Sequence, residues 1–277
     1  GYSRGMHMSI KDFNGKVAVV TGAGSGIGQA LARELAKQHC DLELVDISRR
    51  GMLDTKNQVD GYDVRVSTHV ADVSSEASMS SLPAKVLQAH DKVNLLFNNA
   101  GLTLAKSFEG HSLADWERIV GINLWGAIYG CHFFLPHLKE EAGEAHIVKM
   151  SSMVAFMGPP EQSSYAATKS ANKGFSESLW AELHGQGVGV TVALPGAIRT
   201  AIMDEALKDA EDRDTFARTK EMVEKMAMSP DRAARIILKA VRKDRMRVVV
   251  GPDARLFDNA KRVMPEHVHR IFLLLPQ

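Results

Sequence analysis

The chain has 277 residues, 45% of them hydrophobic, long enough to bury the core of one large α/β domain. Lys and Arg number 34 against 33 Asp and Glu, so no field points to nucleic acid or an anionic membrane surface as partner, and a small molecule is the expected ligand. Two cysteines, Cys40 and Cys131, lack any C-x-x-C spacing, which excludes a disulfide framework and a zinc-type thiolate site and fits a reducing cytoplasm.

Short β-branched runs alternate with longer amphipathic stretches. Strands are expected at Lys16–Val20, Leu42–Val45, Val64–His69, Val93–Phe97, His146–Met150, Gly189–Leu194 and Arg247–Val250. Helical spacing covers about 26–38, 49–59, 74–89, 112–138, 164–184, 203–226 and 231–241. This order predicts an α/β fold with a doubly wound, seven-stranded parallel sheet between two helical layers. Residues 8–277 read as one such domain, with 1–7 set aside because Gly1–Gly5 has the look of a cloning remnant ahead of Met6 or Met8. No apolar run approaches the ~20 residues of a membrane span. Ligands of such a sheet bind beyond the carboxyl ends of the strands.

The first strand runs into Thr21-Gly22-Ala23-Gly24-Ser25-Gly26-Ile27-Gly28 and then a helix. Strand, glycine loop and helix in that order form a dinucleotide-phosphate loop, in which the backbone closes on the pyrophosphate and free N–H groups at the helix start meet its charge. The spacing is Thr-Gly-x-x-x-Gly-x-Gly, with Ile27 where G-x-G-x-x-G has its third glycine. At the end of the second strand Asp46 lies 18 positions after Gly28, where an acidic side chain accepts hydrogen bonds from the adenosine ribose hydroxyls and repels a 2′-phosphate. NAD is thus the preferred cofactor and NADP the alternative. Ile47, next to Asp46, is not basic, whereas Arg49 and Arg50 close by are potential phosphate partners.

These motifs resemble the short-chain dehydrogenase/reductase family, in its compact single-domain branch, over about residues 14–200. Ala71-Asp72-Val73 is similar to the family's adenine-contacting segment, and Asn98-Asn99-Ala100-Gly101 to its motif after the fourth strand. Asn123 matches its helix asparagine, and Pro195-Gly196-Ala197-Ile198-Arg199-Thr200 its nicotinamide-binding turn. The resemblance implies cofactor contacts from Gly22, Ser25, Gly26, Ile27, Gly28, Asp46, Asp72, Val73, Asn99, Ala100, Gly101, Tyr165, Lys169, Pro195, Gly196, Ile198 and Thr200.

Tyr165 and Lys169 stand four positions apart, on one face of a helix. A cation at ~4–5 Å in an effective dielectric near ~20 is worth roughly 3–4 kcal/mol, enough to lower a phenol by about 2–3 pKa units. Ser152 precedes Tyr165 by 13 positions, the family's spacing; Ser151 is the less suitable serine because side chains alternate along a strand. By the resemblance Ser152 holds the substrate oxygen, Tyr165 exchanges the proton, Lys169 lowers the phenol's pKa and bonds the nicotinamide ribose, and Asn123 holds a water linking Lys169 to solvent.

Met153, Val154, Phe156 and Met157 follow the serine directly, and with Met203 they suggest an apolar pocket. Residues 199–229, carrying Met203, Leu207, Phe216, Met222, Met226 and Met228, correspond to the family's substrate lid. His267 and His269 lack a carboxylate or thiol partner, so no metal is expected. The tail Ile271–Pro276 is apolar enough to need a cover, either its own domain or a second subunit. The family implies a homodimer or homotetramer built on the 112–138 and 164–184 helices. The expected activity is hydride transfer between nicotinamide and a lipophilic secondary alcohol or ketone. A non-catalytic dinucleotide sensor and an NADPH-dependent ketoreductase or aldehyde reductase are the alternatives; glycine spacing and the lack of a separate substrate domain speak against a sugar-nucleotide epimerase.

Overall fold

The computed structural model describes residues 10–210 and 212–274, so the opening segment 1–7 lies outside the described residues. Seven strands, β1 (Val17–Thr21), β2 (Asp41–Asp46), β3 (Val66–Val70), β4 (Leu95–Asn98), β5 (Ala145–Met150), β6 (Val188–Pro195) and β7 (Arg247–Val250), form one sheet in the order β3-β2-β1-β4-β5-β6-β7. Every pairing is parallel. The chain winds outward from β1 to β3 and then returns to β4 on the other side of β1. The switch point therefore falls between β1 and β4, and both of the expected Gly and Asn motifs lie at its carboxyl edge.

Strand alternation feeds two cores. Ala18, Val20, Leu42 and Leu44 pack under α1 (Gly26–Ala36), α2 (Arg49–Val59) and α10 (Pro230–Arg242), together with Leu31, Leu35, Met52, Ile237 and Val241. Val19, Val45, Leu96, Ile147 and Val190 face α4 (Leu82–His90), α6 (Gly126–Glu140) and α7 (Ser163–Leu183), where Val86, Phe134, Leu138 and Leu179 meet them. Each such buried side chain contributes about 1.5–3 kcal/mol. With both faces covered, the strands read as continuous apolar runs.

Three helices expected to be continuous are not. The 74–89 stretch divides into α3 (Glu76–Ser80) and α4, with Pro83 near the start of the second helix, a position where its missing N–H costs nothing. The 112–138 stretch is α5 (Leu113–Val120), a π-helical turn at Gly121–Trp125 and α6. The 203–226 stretch breaks at Ala210, whose backbone is extended (ψ 136°), into α8 (Ile202–Asp209) and α9 (Arg213–Met226). After β7 comes α11 (Pro252–Val263), which the sequence reading passed over although Gly251-Pro252-Asp253 is a helix-start signal.

The combined Leu113–Glu140 helix is long and apolar enough to cross a membrane by length and composition, which no run of consecutive apolar residues had suggested. Its inner face packs on the sheet through Cys131, Phe134 and Leu138, as the amphipathic helix of an α/β layer does. The backbone of His267–Leu274 forms a 3-10 segment; the side chains of the apolar tail from Ile271 lie outside the described residues.

Candidate active site

The loop after β1 is shaped by its neighbours across the switch point. Thr21 Oγ1 accepts from the backbone N–H groups of Asn99 (3.0 Å) and Ala100 (3.1 Å), and Asn99 Nδ2 donates to the carbonyls of Thr21 (3.0 Å) and Gly22 (3.2 Å). Gly22 has φ +65°, and a Cβ there would stand 2.8 Å from Ala100 Cα. A Cβ on Gly28 would fall 2.1 Å from the Gly22 carbonyl oxygen. Backbone thus lies against backbone, which only glycine permits. Ser25 caps α1 in an extended conformation without a side-chain bond, and the first turn holds no acidic residue, so the N–H groups of Gly26 and its successors are open to an anion. Ile27 packs its side chain partly into the first core, leaving its backbone to the loop. Thr200 reaches over the same loop: a Cβ on Gly26 would lie 3.0 Å from Thr200 Cγ2.

Asp46, at the last position of β2, accepts from Gly24 N with Oδ2 (2.9 Å) and from Ser48 N with Oδ1 (2.8 Å). It ties the loop to the start of α2, where Ser48 caps through Gly51 N at 3.1 Å. Ile47 is 70% exposed, and Arg49 and Arg50 open α2 on the surface. Asp72 accepts from the Ser74 backbone (2.9 Å) and hydroxyl (2.7 Å), while Val73 is buried against Gly126.

On the other side of the switch point, β5 delivers Ser151 and Ser152 with opposite orientations. Ser151 Oγ donates to the Lys169 carbonyl at 2.7 Å and is consumed in anchoring α7. Ser152, extended at φ −165°, accepts from Val154 N at 3.4 Å and lies near enough to the Tyr165 phenol to bear on its pKa. Lys169 Nζ donates to the Met150 carbonyl at 3.0 Å and lies 5.4 Å from the Tyr165 ring centroid. Gly101 approaches the same amine, since a Cβ there would be 3.3 Å from Nζ. Ser152, Tyr165, Lys169 and Gly101 are therefore brought together at one edge.

The electrostatics differ from the sequence expectation. Burial pushes the Tyr165 phenol up to about 12, with the Ser152 hydroxyl nearby acting against it. Lys169 comes down to about 8, first through burial and then through a second lysine, Lys149. Desolvation is the largest cause for both groups, and the lysine amine is held by the Met150 carbonyl rather than by the phenol.

Asn123 sits in the π-helical turn, and its side chain is fully engaged. Oδ1 accepts from Leu102 N (2.8 Å), and Nδ2 donates to Leu102 O (2.9 Å) and Thr168 Oγ1 (3.1 Å). Its own carbonyl accepts from Asn172 Nδ2 at 2.7 Å. It holds the loop after Gly101 against α7.

The Pro195–Thr200 turn depends on Asp253, which the sequence reading missed. Asp253 Oδ2 accepts from Ala197 N at 2.6 Å, and its carboxylate fills the space where a Gly196 Cβ would stand. Gly196 N donates to Val250 O at 2.9 Å, and Ile198 bridges to Met228. Asp253 follows Pro252 at the start of α11, a signal present in the sequence but far from the turn it shapes.

Met153 and Phe156 lie half-buried around a short 3-10 turn after Ser152. Met203 packs with Ala105, Ala206 and Phe216 in a separate small cluster, and Met222 and Met226 are exposed at 63% and 70%. His269 meets Lys261 at 2.7 Å.

The family model for short chain dehydrogenases matches residues 16–211. SadH of Mycobacterium tuberculosis is 35% identical over 266 residues, 95% of each chain. A short-chain dehydrogenase/reductase of Burkholderia phymatum in complex with NAD is similar in structure, with TM-score 0.81, 28% identity and coverage of 91% of this chain and 96% of that one. Levodione reductase gives TM-score 0.80 at 28% identity over 89% and 99%, and the Leifsonia aquatica sequence is 30% identical over 215 residues, 76% and 80% of the two chains. Among solved relatives some carry NAD and others NADP. A nicotinamide-dependent oxidoreductase of alcohol and carbonyl groups, the chain belongs to the short-chain dehydrogenase/reductase family.

Proposed function

We propose that the chain reduces a lipophilic ketone, and oxidises the corresponding secondary alcohol, with Tyr165 as general acid and base. The observation that carries this reading is the convergence of Ser152, Tyr165 and Lys169 at the carboxyl edge of the sheet, with Lys169 Nζ 5.4 Å from the Tyr165 ring. Bound nicotinamide supplies or accepts the hydride. Ser152 holds the substrate oxygen next to the phenol. Raised to about 12, that phenol keeps its proton at neutral pH and is set to donate it to a carbonyl oxygen as negative charge develops there. Lys169, near 8, is the group that exchanges protons close to neutrality and recharges the phenol. Asn123 positions the loop from Leu102 that faces the pair. Met153, Phe156 and Met203 offer an apolar wall to the substrate, with 199–229 as its lid. The resemblance to levodione reductase supports a carbonyl substrate.

Replacing Tyr165 with Phe tests the assignment. Turnover should fall by at least about a thousandfold, the scale of a lost acid–base group with its hydrogen bond, while NADH binding, followed by fluorescence, stays within about twofold. Unchanged turnover, or a screen of apolar ketones and alcohols that yields nothing, rejects it and favours a dinucleotide-binding protein without chemistry.

The residues also support NAD over NADP. Asp46 uses one lone pair of each oxygen on Gly24 and Ser48, and each oxygen has capacity to accept again from a ribose hydroxyl. A 2′-phosphate at ~4 Å would meet about 4 kcal/mol of repulsion in an effective dielectric near ~20. Asp46→Ala should therefore reduce the NAD/NADP ratio of kcat/KM by about a hundredfold or more; a wild-type preference for NADP would overturn the assignment. The aromatic row of Trp125 at the end of the π-helical turn and Tyr129 and Phe133 on α6, with Trp125 47% exposed, supports a homodimer or homotetramer through this layer, to be checked by light scattering.

A further inference from the structure

Lys149 is the penultimate residue of β5, wholly buried, and its amine makes no hydrogen bond among the described residues. Ile147, Lys149 and Ser151 share one strand face. That face meets α6 and α7, because Ile147 belongs to the second core and Ser151 bonds the Lys169 carbonyl. Lys149 Nζ stands 3.1 Å from the ring centroid of Phe175, on the same helix as Lys169 and six residues beyond it. The strand register sets Asn98 of β4 beside Lys149, and Asn98 Nδ2 donates to Cys131 Sγ at 3.4 Å. Asn172, between Lys169 and Phe175, is buried as well and donates to the Asn123 carbonyl. An isolated ammonium is among the most costly groups for a core to hold. A ring face offsets only part of that cost. A methionine would span the same space without it.

We propose that Lys149 is a positioning residue for the reaction assigned above: a cation sealed in the core behind Lys169, whose charge repels the Lys169 ammonium and eases proton release from it. The role follows from where the groups lie. Lys169 faces β5 through Met150 O, and Lys149 leaves the same strand one residue earlier toward the same helix. The titratable groups that face Lys149 are Cys131 from α6 and Lys169 from α7. Asn98 from β4, Val192 from β6 and Phe175 from α7 are uncharged. With no carboxylate in this set, the charge of Lys149 is not neutralised before it reaches Lys169. Burial brings Lys149 to about 8, Cys131 opposing it, so its charge and that of Lys169 change in the same pH range.

The inference depends on the proposed reaction for its purpose but not for its measurement. Lysine labelled at 13Cε reports the titration of Lys169 in the intact chain, with Lys169→Met assigning the resonance. Lys149→Met and Lys149→Gln should each raise the Lys169 midpoint by about one pH unit. In the reductive direction the alkaline limb of kcat should move up with it, while KM stays within twofold. A purely structural role would change thermal stability and leave the midpoint where it is. An unmoved midpoint in either folded variant overturns the proposal, and so does failure of both variants to fold, which would make Lys149 a folding requirement instead. If the midpoint moves while Tyr165→Phe leaves turnover intact, the electrostatic role stands and the assigned reaction falls.

Discussion

At the carboxyl ends of β1, β4 and β6 the chain is fastened by partly buried hydrogen bonds between elements far apart in sequence: Thr21 with Asn99 and Ala100, Gly24 with Asp46, Ala197 with Asp253. The α8–α9 segment, by contrast, rests on three buried side chains, Ala105, Ala206 and Phe216. Its other ties are exposed ion pairs such as Lys220–Asp204 and Arg118–Asp209, of a kind that holds little against water. The first region has one arrangement available to it, because backbone lies on backbone. The second has no backbone-on-backbone contact of that kind to fix it and is expected to open separately. If the first region cradles the cofactor and the second covers the substrate, as proposed above, one half of the site is fixed while the other is free to adapt.

Gly28→Ala is the hardest test of that contrast. Its Cβ would fall 2.1 Å from the Gly22 carbonyl, so the loop must move. A loss of about 3 kcal/mol in urea melts is expected, with NADH affinity down by at least about a hundredfold. If the variant binds NADH normally, the cradle is not rigid and the comparison collapses.

Asp253→Ala probes the cradle at a distance. It leaves the Ala197 N–H without its acceptor, which should cost about 1–3 kcal/mol and raise the NADH dissociation constant several-fold. An unchanged constant would mean that the Pro195–Thr200 turn keeps its shape without α11.

Phe216→Ala should have the smallest effect on the fold and a selective one on function. Truncating a phenylalanine in a main core costs about 3–5 kcal/mol, but here the loss should stay below about 1 kcal/mol in global stability, because the segment can open separately. KM for an apolar ketone should rise several-fold with NADH binding unchanged. A full core-sized destabilisation would show that α8 and α9 belong to the cooperative unit.

Much of the architecture was legible in the residues. The seven strands occur within about two residues of their expected bounds because a sheet covered on both faces needs unbroken apolar runs, and the Gly and Pro breaks mark their ends. The glycine loop, Asp46 and the Tyr165–Lys169 spacing were equally plain, since each depends on local geometry. Element breaks were less so. The π-helical turn at Gly121–Trp125 is announced only by Gly121 and Gly126, and glycines inside an apolar helical pattern do not by themselves mark a break; the division at Ala210 replaces one apolar stripe by two.

By itself the sequence determined the order of the elements, the phosphate loop, the carboxylate that follows β2 and which serine of the Ser151-Ser152 pair leaves the helix side of the strand, because period-two and period-3.6 patterns are intramolecular rulers. What only the tertiary structure decided is how those groups are charged and fastened. The spacing of Tyr165 and Lys169 predicts a lowered phenol, yet burial raises it to about 12 and the amine turns to Met150 O. Asp253 reaches the Pro195–Thr200 turn from 56 residues away, and Lys149 reads as an ordinary polar position until the sheet closes over it. Desolvation depends on everything packed around a group, and that is set by contacts distant in sequence rather than by any motif.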